Sequence, residues 1–379
     1  MREFSFSTRI FFGQGALERL GQIRGKRVML VTDPFLVESG AVDRVLSHLD
    51  GCTVTVFDAV TPDPSIHVVA QGVQALLDCR AQVMVALGGG SPIDAAKAIR
   101  AIAASVEGCC APEECFAIPT TSGTGSEVSE FAVITDTEQG IKYPLMSRDL
   151  RAPNAILDPE LVCSAPAAVT ADTGMDVLTH ALEALVAKDA SDFSDALAEK
   201  AAALTCRFLP IAVLDGDDLM ARERMHNASC MAGLAFNSAG LGLNHGMAHA
   251  IGAKLHIAHG RINAMLLPHI ITFNADLGRI RNGEYALAAK KYQRMAKVLD
   301  LPAPSVRLGV TNLLREVERL NRTLKIPASL KEWGAEPSKV KELRGEIVSA
   351  ALADATTATN PRPAAAEHVE ALLNKVMGG

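Results

Sequence analysis

Between residue 26 and about residue 160 the chain repeats one pattern: a short apolar run, a turn signal, then a stretch of helical period. Lys26 to Asp33, Thr53 to Phe57, Val83 to Leu87, Phe116 to Ile118 and Ala155 to Leu157 are the apolar runs. Each has strand length, is rich in β-branched residues and lacks period-2 alternation, as strands covered on both faces of a parallel sheet do. Residues 37–49 and 66–77 carry the helical spacing between them. Strand and helix in alternation predict a doubly wound α/β layer. After about residue 165 the strand signals stop. Residues 171–188, 193–208 and 222–235 are rich in Ala and Leu and helical in period. The reading is therefore an α/β domain over residues 1–163 and an all-helical domain over 164–379. A Pro/Ala-rich patch at 361–366 reads as a linker before a final helix.

Length and composition fit that division. The chain has 379 residues, 49% hydrophobic and 21% charged, enough for two ordinary cores. Its net charge of −6 and 4% aromatic content make nucleic acid and anionic membrane surfaces poor partners. No apolar stretch reaches the roughly 18 residues of a membrane span, and the charged N-terminus does not read as a signal peptide. Eight scattered cysteines include no C-x-x-C pair, which reads as free thiols in a reducing cytoplasm.

Candidate chemistry starts at Gly88-Gly89-Gly90-Ser91-Pro92, which follows a strand and opens a helix. Glycines let backbone approach an anion, and the N–H groups of a helix start point at it; a tight strand-to-helix turn needs the same residues. Asp33, ending the first strongly apolar run, suits the ribose hydroxyls of NAD and repels the extra phosphate of NADP, or else caps a helix. Pro119 to Glu127 interleaves hydroxyls with two glycines, fitting a ligand loop, a capping box at Thr124 to Glu127, or both.

A second constellation lies downstream. Asp176 and His180 are four apart in a helical segment, as are His245 and His249, and His256 and His259 follow. Spacing of four puts both members of a pair on one helix face. Imidazoles with one carboxylate suit Zn, Fe(II), Ni or Co more than Mg or Ca. A nucleotide site on one domain facing a metal site on the other predicts hydride transfer to a substrate oxygen's carbon.

These blocks resemble the iron-containing (group III) alcohol dehydrogenases over essentially the whole chain. The resemblance runs from Phe12-Gly13-Gln14-Gly15 through Gly88 to Lys97, Pro119 to Glu127, Gly174 to Ala184 and Asn244 to Gly252, to His259-Gly260. Ile141 to Pro144 and Ala190 to Lys200 look most like the ethanolamine-utilisation branch. The resemblance implies a two-domain dehydroquinate-synthase-like fold and NAD-dependent interconversion of a short alcohol and aldehyde, acetaldehyde or propionaldehyde first. It implies Asp176, His180, His245 and His259 as ligands of Fe(II), with Zn the alternative, and His249 beside them as a proton-relay or orienting group. Cofactor roles carry over to Asp33, Gly89, Gly90, Ser91, Asp94, Thr120, Thr121 and Lys142, with Ser129 and Phe131 near the nicotinamide end. It further implies a cytoplasmic homodimer or larger homo-oligomer, free or inside a bacterial microcompartment. One departure is Asp63-Pro64-Ser65, where many relatives carry Asn-Pro-Thr. Rival readings on the same fold are glycerol-dehydrogenase-like polyol oxidation, a dehydroquinate-synthase-type lyase, and a metal- and nucleotide-binding protein without turnover. The lyase needs several cations around the metal, and only Lys254 and Arg261 lie near the histidine pair.

Overall fold

A computed structural model describes residues 3–106, 111–138, 141–280 and 283–378. Cys109 and Cys110 lie outside the described residues; the other six cysteines are free thiols. The chain forms two compact units, Met1–Ala165 with Asp217–Gly233, and Pro166–Gly216 with Leu234–Gly379.

The first unit is built on six parallel strands: β1 (Arg9–Phe12), β2 (Arg27–Val31), β3 (Thr53–Phe57), β4 (Val83–Gly88), β5 (Glu114–Pro119) and β8 (Asn154–Leu157), in the order β1-β8-β5-β4-β2-β3. Alternate strand residues feed two cores. Met29, Val31, Met84, Ala86 and Ala117 meet α3 (Ile66–Cys79) and α4 (Gly90–Ala104) on one face. Val28, Leu30, Val85, Leu87 and Phe116 meet α1 (Pro34–Glu38) and α2 (Ala41–Leu46) on the other. That double burial is why the strands read as unbroken apolar runs. The single helix expected over 37–49 is two, because Gly40 takes a left-handed φ of 79° between them. A two-stranded antiparallel sheet, β6 (Phe131–Asp136) with β7 (Ile141–Met146), was not expected from the sequence. No helix starts at Thr124 to Glu127: Thr124 Oγ1 accepts from Ser126 N at 3.3 Å and the segment turns instead. The capping box read there is corrected on that ground.

Sheet order places the ligand end. From β2 the chain adds β3 on one side and then β4 on the other. The carboxyl ends of β2 and β4 therefore flank a reversal of winding, where open parallel sheets bind ligands. Asp33 follows β2 and Gly88 ends β4.

The second unit is helical: α5 (Ala167–Val186), α6 (Asp192–Leu214), the end of α7 (Leu219–Ala239), α8 (Leu243–Leu255), α9 (His259–Ala275), α10 (Leu287–Val298), α11 (Val306–Thr323), α12 (Leu330–Trp333), α13 (Pro337–Ala353) and α14 (Ala366–Met377). Every residue of α5 from Gly174 to Val186 is buried, as expected of a helix packed all round. Small residues permit its close neighbours. A Cβ on Gly174 would meet Leu209 of α6 at 2.2 Å, and one on Gly260 would meet the Asp172 carbonyl oxygen at 2.0 Å. The linear division at 163/164 differs from these units in residues 217–233, whose helical period hides their partners. Arg222 donates to the Cys163 and Ala165 carbonyls, and a Cβ on Gly125 would lie 2.7 Å from Gly233 Cα.

Candidate active site

In the first unit the glycine turn and the hydroxyl loop meet. Gly88 has φ +152°, and a Cβ there would strike the Pro92 ring at 2.4 Å, so the sharp exit from β4 needs glycine. Gly89 precedes α4 with no side-chain cap on the helix N-terminus. A Cβ on Gly89 would touch Thr121, and one on Gly90 would touch Thr124 at 3.0 Å. Thr120 N donates to Gly88 O at 2.9 Å. Bare backbone at a helix start, bordered by hydroxyls, is an arrangement able to cradle a phosphate. Ser91 Oγ accepts from Asp63 N at 3.3 Å, and Lys142 Nζ lies 2.5 Å from Asp63 Oδ1. The Asp63 carboxylate thus sits beside the turn, holding Lys142. Asp33 does cap α1, since its Oδ1 accepts from Leu36 N at 2.9 Å.

Asp94, Ser129 and Phe131 meet at a group the sequence did not single out. Lys97 is buried, and its Nζ donates to Ser126 Oγ, Ser129 Oγ and Phe131 O at 2.8 to 3.1 Å. Asp94 accepts from Ser126 Oγ and from Val133 N. Burial pushes the Lys97 ammonium down to about 8 although Asp94 and Glu127 oppose it. Burial likewise pushes Glu127 up to about 7. His226, also unforeseen, holds the hydroxyl loop through Ser122 Oγ at 3.0 Å.

In the second unit the i, i+4 pairs and His259 converge. Asp176, His180 and His245 offer ligand atoms all within 4.8 Å of one another, and all three are buried. Asp176 Oδ1 lies 3.6 Å from His245 Nε2 and 3.5 Å from His259 Nε2, and Oδ2 lies 3.9 Å from His180 Nε2. The His180 and His245 rings stack at 4.6 Å. Burial alone would raise the Asp176 carboxyl, but His180, His259 and His245 outweigh it and hold it well below the usual carboxylate range. Desolvation, with help from neighbouring imidazoles, pushes His259 down, although its side chain keeps 41% of its surface exposed. Imidazoles aimed at one buried carboxylate are a donor set for a divalent cation that displaces their protons, and a partly open fourth donor leaves a side for substrate.

Three further residues complete this region, and no local signal marked them. Glu183, one turn beyond His180, places Oε2 2.5 Å from His245 Nδ1 while Oε1 accepts from Asn244 N at 2.7 Å. Burial lowers His245, yet Asp176 and Glu183 outweigh it and raise the ring to about 9. A carboxylate on Nδ1 leaves Nε2 to face a metal. Glu183→Gln is expected to weaken metal binding about 10- to 100-fold, measured by chelator competition; unchanged affinity would remove Glu183 from this role. Asn263 Nδ2 donates to Asp176 Oδ1 at 2.7 Å and is itself set by Asn244. Asp354 Oδ2 lies 2.8 Å from Nδ1 of His249, whose ring stacks on His259 at 5.1 Å.

Comparison with known proteins matches most of the chain to one family. Residues 7–159 match the family described as Iron-containing alcohol dehydrogenase, and residues 170–377 match Fe-containing alcohol dehydrogenase family, C-terminal. The chain is 46% identical to the 1-propanol dehydrogenase PduQ of Salmonella typhimurium, over 100% of both chains. It is 38% identical to an NADPH-dependent butanol dehydrogenase of Clostridium saccharobutylicum, over 96% of this chain and 94% of that one. The crystal structure of a 1,3-propanediol oxidoreductase superposes with TM-score 0.90 at 34% identity, covering 100% of both chains. On fold, site and sequence together, the chain belongs to the iron-containing alcohol dehydrogenase family.

Proposed function

We propose that this alcohol dehydrogenase interconverts a short-chain primary alcohol and its aldehyde with NAD(H), with Asp176, His180, His245 and His259 holding Fe(II), or Zn in its place. The convergence of a buried carboxylate and three imidazoles carries the reading. A divalent cation held there supplies Lewis-acid polarisation of the substrate oxygen. The protein's own part is orientation and proton handling. Glu183 and Asn263 fix the donor set. His249, 44% exposed and stacked on His259, stands where it can hydrogen-bond the substrate oxygen and pass it a proton. Lys254 is ion-paired to Glu346, and Arg261 to Asp172 at 3.0 Å. Both cations near the histidine pair are thus engaged, which disfavours a phosphorylated sugar acid and with it the lyase reading.

Similarity to a 1-propanol dehydrogenase supports propionaldehyde as the first substrate to try. Metal-loaded protein is expected to consume NADH when propionaldehyde or acetaldehyde is added, followed by absorbance. Absence of turnover with both aldehydes and with both metals would overturn the proposal, and faster oxidation of glycerol than of propanol would favour the polyol reading. The cofactor site we propose is the cradle of Gly89, Gly90, Ser91, Thr120 and Thr121 with Asp33, Asp94, Ser129, Phe131 and Lys142 around it. Because one relative is NADPH-dependent, preference rests on this chain's own residues. Asp33→Gly is expected to narrow the preference for NADH over NADPH; glycine caps α1 nearly as well, within a few tenths of a kcal/mol. An unchanged NADH/NADPH ratio would show that Asp33 does not face the ribose. A homo-oligomer in the cytoplasm, free or enclosed in a microcompartment, belongs to the same proposal; among the described residues no helix is long and apolar enough to cross a membrane.

A further inference from the structure

The geometry points to Asp354 as a positioning residue for the reaction: its carboxylate fixes the ring of His249 and keeps Nε2 of that imidazole facing the substrate oxygen. The inference rests on the reading of His249 given above.

Asp354 is separated from His249 by 105 positions, yet its Oδ2 lies 2.8 Å from His249 Nδ1. The carboxylate is itself held. Its Oδ1 accepts from Thr356 N at 2.9 Å and from Thr356 Oγ1 at 2.6 Å, capping the 3-10 turn Ala355–Thr359. That turn is tied down in its own right. Thr357 Oγ1 donates to Ala351 O at 2.6 Å, and Gly246 of α8 gives it room, since a Cβ there would lie 2.1 Å from Thr357 Oγ1. Asp354 therefore keeps a set distance from the helix that carries both His245 and His249.

The ring is constrained from the other side as well. It stacks on His259 with 16° between planes and meets the His245 ring at 5.9 Å. Nδ1 is occupied by the carboxylate, so Nε2 is the nitrogen left for a visiting molecule. The side chain keeps 44% of its surface exposed, which leaves that nitrogen reachable. An anionic acceptor on Nδ1 selects the tautomer with hydrogen on Nδ1 and a lone pair on Nε2. Without it the imidazole divides its time between two tautomers, and only the one with Nε2 free can take the alcohol's proton, which the protonated ring returns in the aldehyde direction. Burial would raise the Asp354 carboxyl, but hydrogen bonds from His249 and Thr356 outweigh it and hold the group well below the usual range, so the acceptor is an anion at neutral pH.

Capping supplies the control. Asn and Ser cap a helical turn about as well as Asp, so Asp354→Asn and Asp354→Ser keep the turn while removing the anion. The test uses the full chain loaded with zinc, with propionaldehyde and NADH for rates and histidine nitrogen NMR for tautomers, His249 being assigned by its absence in His249→Gln. Both variants are expected to lose at least about tenfold in kcat, with KM for propionaldehyde, zinc content and NADH affinity within about twofold of wild type. The His249 signals are expected to shift from the Nδ1–H tautomer to a mixture. A tautomer unmoved in both variants overturns the role of Asp354 whatever the rates do, and a shifted tautomer with unchanged kcat overturns it too. Should wild-type protein turn over neither propionaldehyde nor acetaldehyde with zinc or with iron, the functional reading fails by itself, and the tautomer alone then decides whether Asp354 positions His249.

Discussion

Alanine at position 176 is expected to leave a folded protein that binds NADH but retains no metal and turns over on the order of a thousandfold more slowly. The size follows from the chemistry removed. Polarisation by a divalent cation supplies several kcal/mol at the transition state, and about 1.4 kcal/mol is tenfold in rate. Asp176 is the one carboxylate that all three imidazoles address, at 3.5 to 3.9 Å. Without it the rings of His180 and His245, stacked at 4.6 Å, are left with no anion between them and a cation. Elemental analysis and NADH fluorescence check the two halves of the claim separately. Metal content equal to wild type would show that Asp176 is no ligand. Loss of NADH binding along with metal would show that the substitution acts on the fold.

Gly260→Ala is expected to destabilise the protein by 1–3 kcal/mol or more, the usual result of forcing atoms into a filled core. The added methyl would lie 2.0 Å from the Asp172 carbonyl oxygen and 2.6 Å from its carbon. Both are backbone atoms of α5, so no side chain can swing away, and α9 must retreat by about 1 Å. His259 is the adjacent residue, and its Nε2 would be drawn off Asp176. Lower metal occupancy should therefore accompany the lower midpoint in denaturant. Gly252→Ala is the matched control: its methyl meets nothing closer than 3.4 Å, and alanine is the better helix former by about 0.5–1 kcal/mol. Equal midpoints for the two variants would mean that α5 and α9 are not packed as described.

Much of this fold was legible because burial writes itself into sequence. Strands β2, β4 and β5 are covered on two faces, and their apolar runs admit few other readings. The hairpin β6–β7 escaped because β7 is exposed along its whole length and carries no such signature. Asp176, His180, His245 and His249 could be paired from spacing, since one helix turn dictates which side chains share a face. Partners that depend on tertiary approach could not. Lys97 finds Ser129 32 positions away, His226 finds Ser122 across 104, and Asp354 finds His249 across 105. Nothing local distinguishes such residues from any buried Lys or capping Asp. The Thr124 to Glu127 motif failed for the opposite reason: its local chemistry fits a helix start, but the chain turns back to pack Gly125 on Gly233.

That last contact bears on how such an enzyme can be recombined. Because residues 217–233 return to the α/β unit, a ribosome must extend past Gly233 before that unit has all its parts, and α5 and α6 of the helical unit are already made by then. A chimaera with one crossover at residue 165 would marry a native hydroxyl loop to a foreign seventh helix, at a point where even one extra methyl has no room. Two further crossovers, bracketing 217–233, are the arrangement that lets each half travel intact.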